Sequence, residues 1–178
     1  MQIPTLRTAR LLLRPWTLED APTLFEILRE QDIFRYFPPS PPPTLERAQR
    51  YISHQLAHWQ ERGCGHWAVI TPEGRQSAGW NGLEHLPETD ETEVAYLLSR
   101  SVRGHGYASE AAQAAIRFGF ETAGLESIIG LVHEENLASI RVLEKCGLRF
   151  IDRKVYFGME LLRYRIERAE FQGESASV

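Results

Sequence analysis

The stretch VRGHGYASEAAQAAIRFGF, residues 102–120, holds two glycines, Gly104 and Gly106, directly before a run that is rich in alanine. In that run, apolar residues recur with the three- and four-residue spacing of one helix face. Glycine permits a positive φ angle and lets another group approach the backbone closely. The first N–H groups of a helix lack intrahelical partners and carry a partial positive charge. The stretch therefore predicts a tight turn into a helix, and such a helix start is suited to holding phosphate oxygens.

On spacing alone, a plain strand-to-helix turn explains these glycines equally well. The mononucleotide motif GxxxxGK[ST] needs a lysine after its last glycine, and neither Lys145 nor Lys154 follows a glycine. The dinucleotide motif needs a third glycine or alanine where Ser109 stands, in an early β-α-β unit, whereas three predicted strands immediately precede this loop. What remains is RGHGYA, residues 103–108, which fits the pattern (R/Q)-x-x-G-x-(G/A).

Length and charge narrow the class of protein. The chain has 178 residues, which suits one domain with a substantial core. Its net charge of −4 and pI of about 5.9 favour neither nucleic acid nor a membrane surface as a partner. The apolar run Leu11–Leu13 is too short for a signal-peptide core, and no later run approaches the length of a membrane span. We therefore expect a cytoplasmic protein that binds neither nucleic acid nor membranes.

Cysteine and histidine spacing gives no sign of a metal site. Cys64 and Cys146 lie far apart, so neither a disulfide framework nor a cysteine-based zinc site is expected. His54 and His58 are four residues apart on a predicted helix, but they are not part of an HExxH motif. The sequence therefore predicts no bound metal.

Periodicity and turn signals predict the element order β-α-α-β-β-β-α-β-α-β-β, a mixed α/β fold. The capping residues Thr17 and Thr44 open the first two helices, and the proline-rich residues 37–43 form a loop between them. The predicted strands cover residues 10–16, 66–70, 77–86, 92–99 and 127–132, followed by a two-strand finish within 148–168. The later helices are the stretch quoted above and a shorter helix that starts at Asn136 and ends at Lys145.

With its glycine loop, the chain resembles the GNAT acyltransferase superfamily, and within it the RimJ/RimL-like branch that includes ribosomal-protein N-terminal acetyltransferases. The resemblance covers roughly residues 6–168. The three stretches that carry it are LRTARLLLRPWTLEDAPTLFEIL (6–28), TEVAYLLSRSVRGHGYASEA (92–111) and HEENLASIRVLEKCGLRF (133–150). The resemblance implies one GNAT-like domain, with a mixed, mostly antiparallel central sheet flanked by helices. It also implies a splayed strand pair at the cofactor site. We expect this domain to span residues 1–171, with a disordered tail at 172–178.

The resemblance also implies acetyl-CoA as co-substrate. In the family, the loop N–H groups hold the pyrophosphate, and the strand before the loop runs along the acetyl group and the pantetheine arm. Here that strand contributes Tyr96, Leu97 and Leu98, and the Leu98 N–H is the expected donor to the oxyanion. The expected cofactor-binding residues are Leu97, Leu98, Arg103, Gly104, His105, Gly106, Tyr107, Ala108, Ser109 and Asn136.

Two residues are the catalytic candidates that the resemblance implies. Glu93 matches the glutamate that serves as general base in this branch, and burial beside the apolar run that follows it is expected to raise its pKa. A solvated Glu93 remains possible on sequence alone, and Glu91 or His85 would then take the role. Ser139 matches a serine near the cofactor sulfur, whereas the tyrosine acid of many GNAT enzymes is replaced here by Leu143.

The acceptor is expected to be an amine, either a protein N-terminus or a small molecule, which attacks acetyl-CoA directly in a ternary complex. By analogy with the family, the segment between the first two helices contacts it, so Arg35 and Tyr36 are candidates, with Trp80 as a further wall residue. The alternative function is a non-catalytic module that binds or senses acyl-CoA. We expect a monomer or a homodimer.

Overall fold

The computed structural model describes residues 2–74 and 76–171, so the tail predicted at 172–178 lies outside the described residues. The strands are β1 (Leu6–Arg7), β2 (Leu12–Arg14), β3 (His66–Ile70), β4 (Ser77–Leu86), β5 (Glu91–Leu98), β6 (Ser127–Val132), β7 (Arg149–Tyr156) and β8 (Met159–Glu167). The α-helices are α1 (Ala21–Leu28), α2 (Leu45–Arg62), α3 (Tyr107–Glu121) and α4 (Leu137–Lys145). Short 3₁₀ turns cover Leu18–Asp20, Arg100–Val102 and Arg168–Glu170.

All eight strands form one sheet in the order β1-β2-β3-β4-β5-β6-β8-β7. Neighbouring strands are antiparallel except β5 and β6, which are parallel. Strand β5 pairs with β4 along its whole length, but it pairs with β6 only where Glu93 lies beside Ile129. Beyond that pair the two parallel strands separate. The predicted mixed, mostly antiparallel sheet with a splayed strand pair is confirmed.

Helices cover both faces of the sheet, because successive side chains of a strand point to opposite faces. Trp80 and Leu97, which are opposite each other on β4 and β5, pack in the core under α1 and α2. Leu83 and Val94 are likewise opposite each other but pack in the core with α3. The sheet therefore has an apolar layer on each face, one covered by α1 and α2 and the other by α3, as predicted for a sheet flanked by helices.

Helix ends follow the signals in the sequence. The Thr44 hydroxyl accepts a hydrogen bond from the Arg47 N–H at 3.2 Å, which caps α2, and Gly63 ends the helix at a φ of 72°. The Asp20 carboxylate accepts the Thr17 N–H at 2.9 Å and is held by the Arg14 guanidinium at 2.5 Å. Thr17 is therefore a helix cap, as predicted, but the residues directly after it form a 3₁₀ turn, and α1 begins after that turn.

The strand predicted at residues 10–16 is shorter in the structure and covers Leu12–Arg14. Upstream, the Thr8 N–H donates to the Leu11 carbonyl at 3.0 Å and closes a turn, so the chain bends before the strand. Downstream, Pro15 has no N–H to give to a neighbouring strand. The turn also lets the preceding residues Leu6–Arg7 pair as β1, which the sequence pattern does not predict.

Gly79 allows β4 to lie close to the end of β5. Its φ is +139°, and a Cβ atom at this position would lie 2.0 Å from the Leu97 carbonyl oxygen. The Ser77 hydroxyl fastens the irregular backbone, because it donates to the Gly79 carbonyl at 2.7 Å and accepts the Gly79 N–H at 3.2 Å. Only glycine can occupy this position, because the backbone of β4 then packs directly against that of Leu97 and Leu98.

We expect Gly79→Ala to destabilise the fold strongly, by about 3 kcal/mol or more, because it adds a backbone clash to an unfavourable φ. The matched control is Gly158→Ala, where φ is +76° but a Cβ atom would meet nothing within 4 Å. The control should lose only about 1–2 kcal/mol, the cost of a left-handed conformation. Urea unfolding of both variants measures the difference, and equal losses would show that the clash is absorbed.

Within residues 2–74 and 76–171, no helix is long and apolar enough to cross a membrane. The same residues contain no group of three or more His, Cys, Asp and Glu side chains that could hold a metal ion.

Candidate active site

A cavity of about 830 Å³ lies where β5 and β6 separate. Its walls come from β4, β5 and the end of β6, from the glycine loop and the start of α3, and from α4. Residues 33–38, between α1 and α2, contribute a further wall. The cavity therefore brings together two of the three stretches that carry the resemblance, residues 92–111 and 133–150, whereas residues 6–28 do not line it.

The glycine loop has the geometry of an anion cradle. Gly104 and Gly106 have φ angles of 83° and 79°, and a Cβ atom on Gly104 would meet nothing within 4 Å. Gly106 is the N-cap of α3 and offers no side-chain acceptor to the first helical N–H groups. Those N–H groups belong to residues 107–109, which line the cavity together with both glycines. The loop thus has the room and the donors that a diphosphate needs.

Arg10 braces this loop from outside. Its guanidinium donates to the His105 carbonyl at 2.9 Å and to the Glu110 carboxylate at 2.7 Å, and it lies 4.7 Å from the centre of the Tyr107 ring. The Tyr107 hydroxyl donates to Glu73 at 2.6 Å. Sequence reasoning missed Arg10, because it lies 95 residues from the carbonyl that it binds and no local motif joins the two.

The predicted loop residues do not all face the cavity. Arg103 lines it, and its Nε atom donates to the Leu98 carbonyl at 3.0 Å. His105 lies outside the lining, where its ring stacks on Tyr107 at 5.5 Å between centroids. Arg141 and Lys145 of α4, which sequence reasoning did not name, add two further positive charges to the same end of the cavity.

The end of β5 presents a free N–H to the gap between the parallel strands. The Ser99 N–H donates to the Ala78 carbonyl of the neighbouring segment at 2.8 Å. Backbone N–H groups alternate in direction along an extended strand, so the N–H of Leu98 points away from β4. Leu97 and Leu98 both line the cavity. This is the orientation that the predicted oxyanion donor requires.

Glu93 is half-buried in the cavity wall at the point where β5 and β6 separate. Burial raises the pKa of Glu93 to about 8, and the nearby negative charge of Glu84 raises it further, whereas a hydrogen bond from the Leu131 N–H opposes the rise. A carboxyl group with this pKa exchanges a proton near neutral pH. Glu93 therefore has the property of a general base that the sequence analysis expects.

Glu84 lies directly opposite Glu93 on β4. Gln55 Nε2 donates to its carboxylate at 3.4 Å, and His66 Nε2 lies 3.3 Å from it. Burial lowers the pKa of His66 to about 4, so the imidazole is neutral at physiological pH and does not cancel the charge of Glu84. The two carboxyl groups thus face each other across two strands, and the negative charge of Glu84 disfavours the ionised form of Glu93.

The other candidates for the base have different surroundings. Burial by itself would raise the pKa of Glu91, but hydrogen bonds, including those from the Tyr156 hydroxyl and the Arg163 guanidinium, outweigh it and lower the pKa. Glu91 therefore stays ionised in a structural network. His85 lines the cavity, and its Nε2 atom lies 3.7 Å from the exposed Asp90 carboxylate.

Ser139 and Asn136 meet the cavity at the start of α4. The Asn136 side chain accepts the Ser139 N–H at 3.2 Å and so caps the helix. The Ser139 hydroxyl lies 2.8 Å from the Tyr96 hydroxyl, which also donates to the Ser139 carbonyl at 3.2 Å. Burial raises the pKa of Tyr96, which keeps this phenol protonated as a donor. The Tyr96–Ser139 contact joins β5 to α4 and is not visible in the sequence.

Leu143 stands where many GNAT enzymes have a tyrosine, and it lies in the core. It is 1% exposed, and its side chain packs so closely on Gly130 that a Cβ atom there would lie 2.5 Å away. No hydroxyl reaches the cavity from this position. At the α4 side of the cavity, Ser139 and Tyr96 bring two hydroxyl groups into contact instead.

The predicted acceptor residues divide into two groups. Tyr36 and Trp80 line the cavity, and the Tyr36 ring stacks on His133 at 5.5 Å, which connects the segment before α2 to the end of β6. Arg35 lines a separate groove beside Pro42 and Pro43, with its guanidinium 5.3 Å from the centre of the Tyr36 ring. The tight turn through this segment sends the two neighbouring side chains to different grooves.

The wall formed by residues 33–38 is tied to the glycine loop. Glu30, just before this wall, accepts hydrogen bonds from the Ser99 hydroxyl at 2.5 Å and from the Arg100 N–H at 2.7 Å. Ser99 follows β5, and Arg100 opens the short turn that leads into the glycine loop. One carboxylate therefore bridges the two sides of the cavity.

Comparison with known proteins agrees with this geometry. The family described as Acetyltransferase (GNAT) domain matches residues 10–149. The chain is 31% identical over 146 residues to the uncharacterized N-acetyltransferase p20 of Bacillus licheniformis, covering 82% of each chain. It is similar to the crystal structure of an acetyltransferase from Agrobacterium tumefaciens, with a TM-score of 0.81, 31% identity, and 94% and 96% of the two chains covered.

The fold is also that of RimL, a ribosomal-protein alpha-N-acetyltransferase solved in complex with coenzyme A. That likeness has a TM-score of 0.75 at 16% identity and covers 94% of this chain and 98% of the other. The match of the family to most of the chain, together with the glycine loop and the separated strands, gives one conclusion. The chain belongs to the GNAT family and is an acetyl-CoA-dependent acetyltransferase.

Proposed function

We propose that this enzyme transfers the acetyl group of acetyl-CoA to a primary amine by direct attack in a ternary complex, with Glu93 as the general base. One observation carries the proposal. Glu93, with its pKa raised to about 8, lies in the same cavity as the glycine loop and as the Tyr36 and Trp80 wall. A base at that place can serve an amine that approaches from the wall while the thioester lies along β5.

The chain offers a fitting place for each part of the co-substrate. The N–H groups of residues 103–109 and the charge of Arg103 would hold the pyrophosphate, and Asn136 would contact the pantetheine arm. Leu97 and Leu98 would lie along the acetyl group and the arm. When bound, acetyl-CoA supplies the activated thioester carbonyl.

The residues then divide the work of acyl transfer. Glu93 accepts a proton from the amine nitrogen, so that the nitrogen lone pair forms the new bond to the carbonyl carbon. The Leu98 N–H donates a hydrogen bond to the oxygen on which negative charge develops. As the carbon–sulfur bond breaks, its electron pair stays on sulfur, and the Ser139 hydroxyl donates to it. Tyr96 positions that hydroxyl.

The alternative of a non-catalytic acyl-CoA module gains no support from the site. Such a module needs the glycine loop but not a carboxyl group whose pKa lies near neutrality. The cavity contains both, and a hydroxyl pair at α4 lies on its other side.

We expect Gly106→Val to weaken coenzyme A binding by at least about tenfold, because a branched side chain resists a positive φ and crowds the phosphate cradle. The matched control is Gly124→Val, which has a similar φ of +76° but lies after the far end of α3. Titration calorimetry with coenzyme A measures both variants. If the two bind equally well, the pyrophosphate does not lie on this loop.

We expect Glu93→Gln to lower kcat by about 10²-fold while leaving coenzyme A affinity unchanged, since the variant keeps the shape but cannot take a proton. The parent enzyme should become more active as pH rises through about 8, where Glu93 loses its proton. A weakly basic acceptor that is uncharged over this range isolates the enzyme group. A variant that keeps the full rate and the same pH profile would move the role of base away from Glu93.

Glu84→Gln removes the charge that faces Glu93, so it should lower the pKa of Glu93 and move the rise in kcat/KM to lower pH. Glu88→Gln is the control, because Glu88 lines the cavity from the turn after β4 but does not pair with Glu93. The measurement is the pH profile of kcat/KM with the same acceptor. A profile that stays in place in Glu84→Gln would show that burial alone sets the pKa.

A further inference from the structure

The cavity has opposite charges at its two ends. Positive side chains line it at the glycine loop and α4, and these are Arg103, Arg141 and Lys145. Negative side chains line it on β4, on the turn after it and on β5, and these are Glu84, Glu88 and Glu93. The positive end matches a diphosphate. The negative end, beside the Tyr36 wall, is where the acceptor of the proposed reaction would lie.

The acceptor end offers no lysine or arginine as a partner for an anion. Among the described residues that line it from 33–38, from α2 and from β3 to β5, none is lysine or arginine. His66 is neutral above a pKa of about 4. The nearby Arg163 is already bound to Glu91 at 2.6 Å and to Asp152 at 2.7 Å. A carboxylate placed here would face Glu84 without a permanently charged partner, which is costly in a partly desolvated site.

The same end is well suited to an ammonium group on an apolar body. Trp80 and Tyr51 lie 5.0 Å apart between ring centroids, and His66 stacks near Trp80 at 6.3 Å. Aromatic ring faces attract cations. Two carboxylates on adjacent strands supply acceptors for the N–H groups of the ammonium, and one of them is the proposed base. Charge and apolar surface therefore favour the same kind of ligand.

We propose that the acceptor is a primary amine with no carboxylate beside its amino group, such as an alkyl or arylalkyl amine or an amide-blocked α-amine. This inference rests on the proposed function and adds a selection rule to it. Free α-amino acids are excluded by Glu84, whose charge repels their carboxylate. Glu84 is thus a specificity-determining residue as well as the neighbour that raises the pKa of Glu93.

Matched sets of acceptors test the rule. Each set holds an amine, the corresponding amino-acid amide and the free amino acid with the same side chain, for example phenethylamine, phenylalaninamide and phenylalanine. Further sets carry the side chains of leucine, methionine and lysine. In every set that is acetylated, we expect kcat/KM for the free acid to be at least about 10²-fold below that of the better of its two partners, because like charges repel strongly in such a site. Within a set, faster acetylation of the amide indicates a peptide-like acceptor, and faster acetylation of the plain amine indicates a simple alkyl or arylalkyl amine.

Glu84→Gln gives a second measurement within the same sets. The discrimination against the free acid should fall by at least about tenfold, since the repelling charge is gone. The ratio is measured at a pH above the Glu93 pKa of about 8, so that Glu93 is ionised in both enzymes and only the charge of Glu84 differs between them. Glu26→Gln removes one charge on the exposed face of α1, where Glu26 bonds to Arg29, and it should leave the ratio unchanged.

The outcomes separate the two proposals. Free acids acetylated as well as their amides would overturn the selection rule but leave the acetyltransfer mechanism intact. If the discrimination against the free acid is the same in Glu84→Gln as in the parent enzyme, Glu84 does not determine the specificity. If no member of any set is acetylated faster than in the absence of enzyme, the proposed amine acetylation itself is overturned, and the rule falls with it.

Discussion

The separation of β5 from β6 is the constraint on which the site depends. Strand β5 is fully paired to β4 on one side but meets β6 only at Glu93 and Ile129. A parallel pair that stayed together would use the N–H groups of β5 for the sheet and would close the cavity. Gly79 keeps β4 close to the end of β5, so the gap opens on the β6 side alone. The positions of Glu93 and of the free N–H of Leu98 at the gap both follow from this geometry.

Local signals in the sequence predicted much of this fold. The strands at 66–70, 77–86 and 127–132 have their predicted bounds, because turn residues and alternating apolar side chains mark both ends. The caps at Thr44 and Asn136 are satisfied as expected. In each case the physical cause lies within a few residues of its effect. The glycine loop belongs to this class, since its φ angles follow from two glycines beside a helix start.

What the sequence could not show are contacts between distant segments. Arg10 reaches the glycine loop, Tyr96 reaches Ser139, and Glu84 faces Glu93, and each pairing depends on how the sheet is assembled. The raised pKa of Glu93 was expected from burial, but the contribution of Glu84 required the strand register. Arg35 was assigned to the acceptor on its position in the chain, and the turn places it in another groove.

The bridge formed by Glu30 has a consequence for how the enzyme handles two substrates. Because the Glu30 carboxylate accepts hydrogen bonds from both the Ser99 hydroxyl and the Arg100 N–H, it ties the segment before residues 33–38 directly to the chain that leads from β5 into the glycine loop. If movement of one segment on substrate binding shifts the other through these two hydrogen bonds, the resulting coupling is reciprocal, and each substrate changes the affinity for its partner by the same factor.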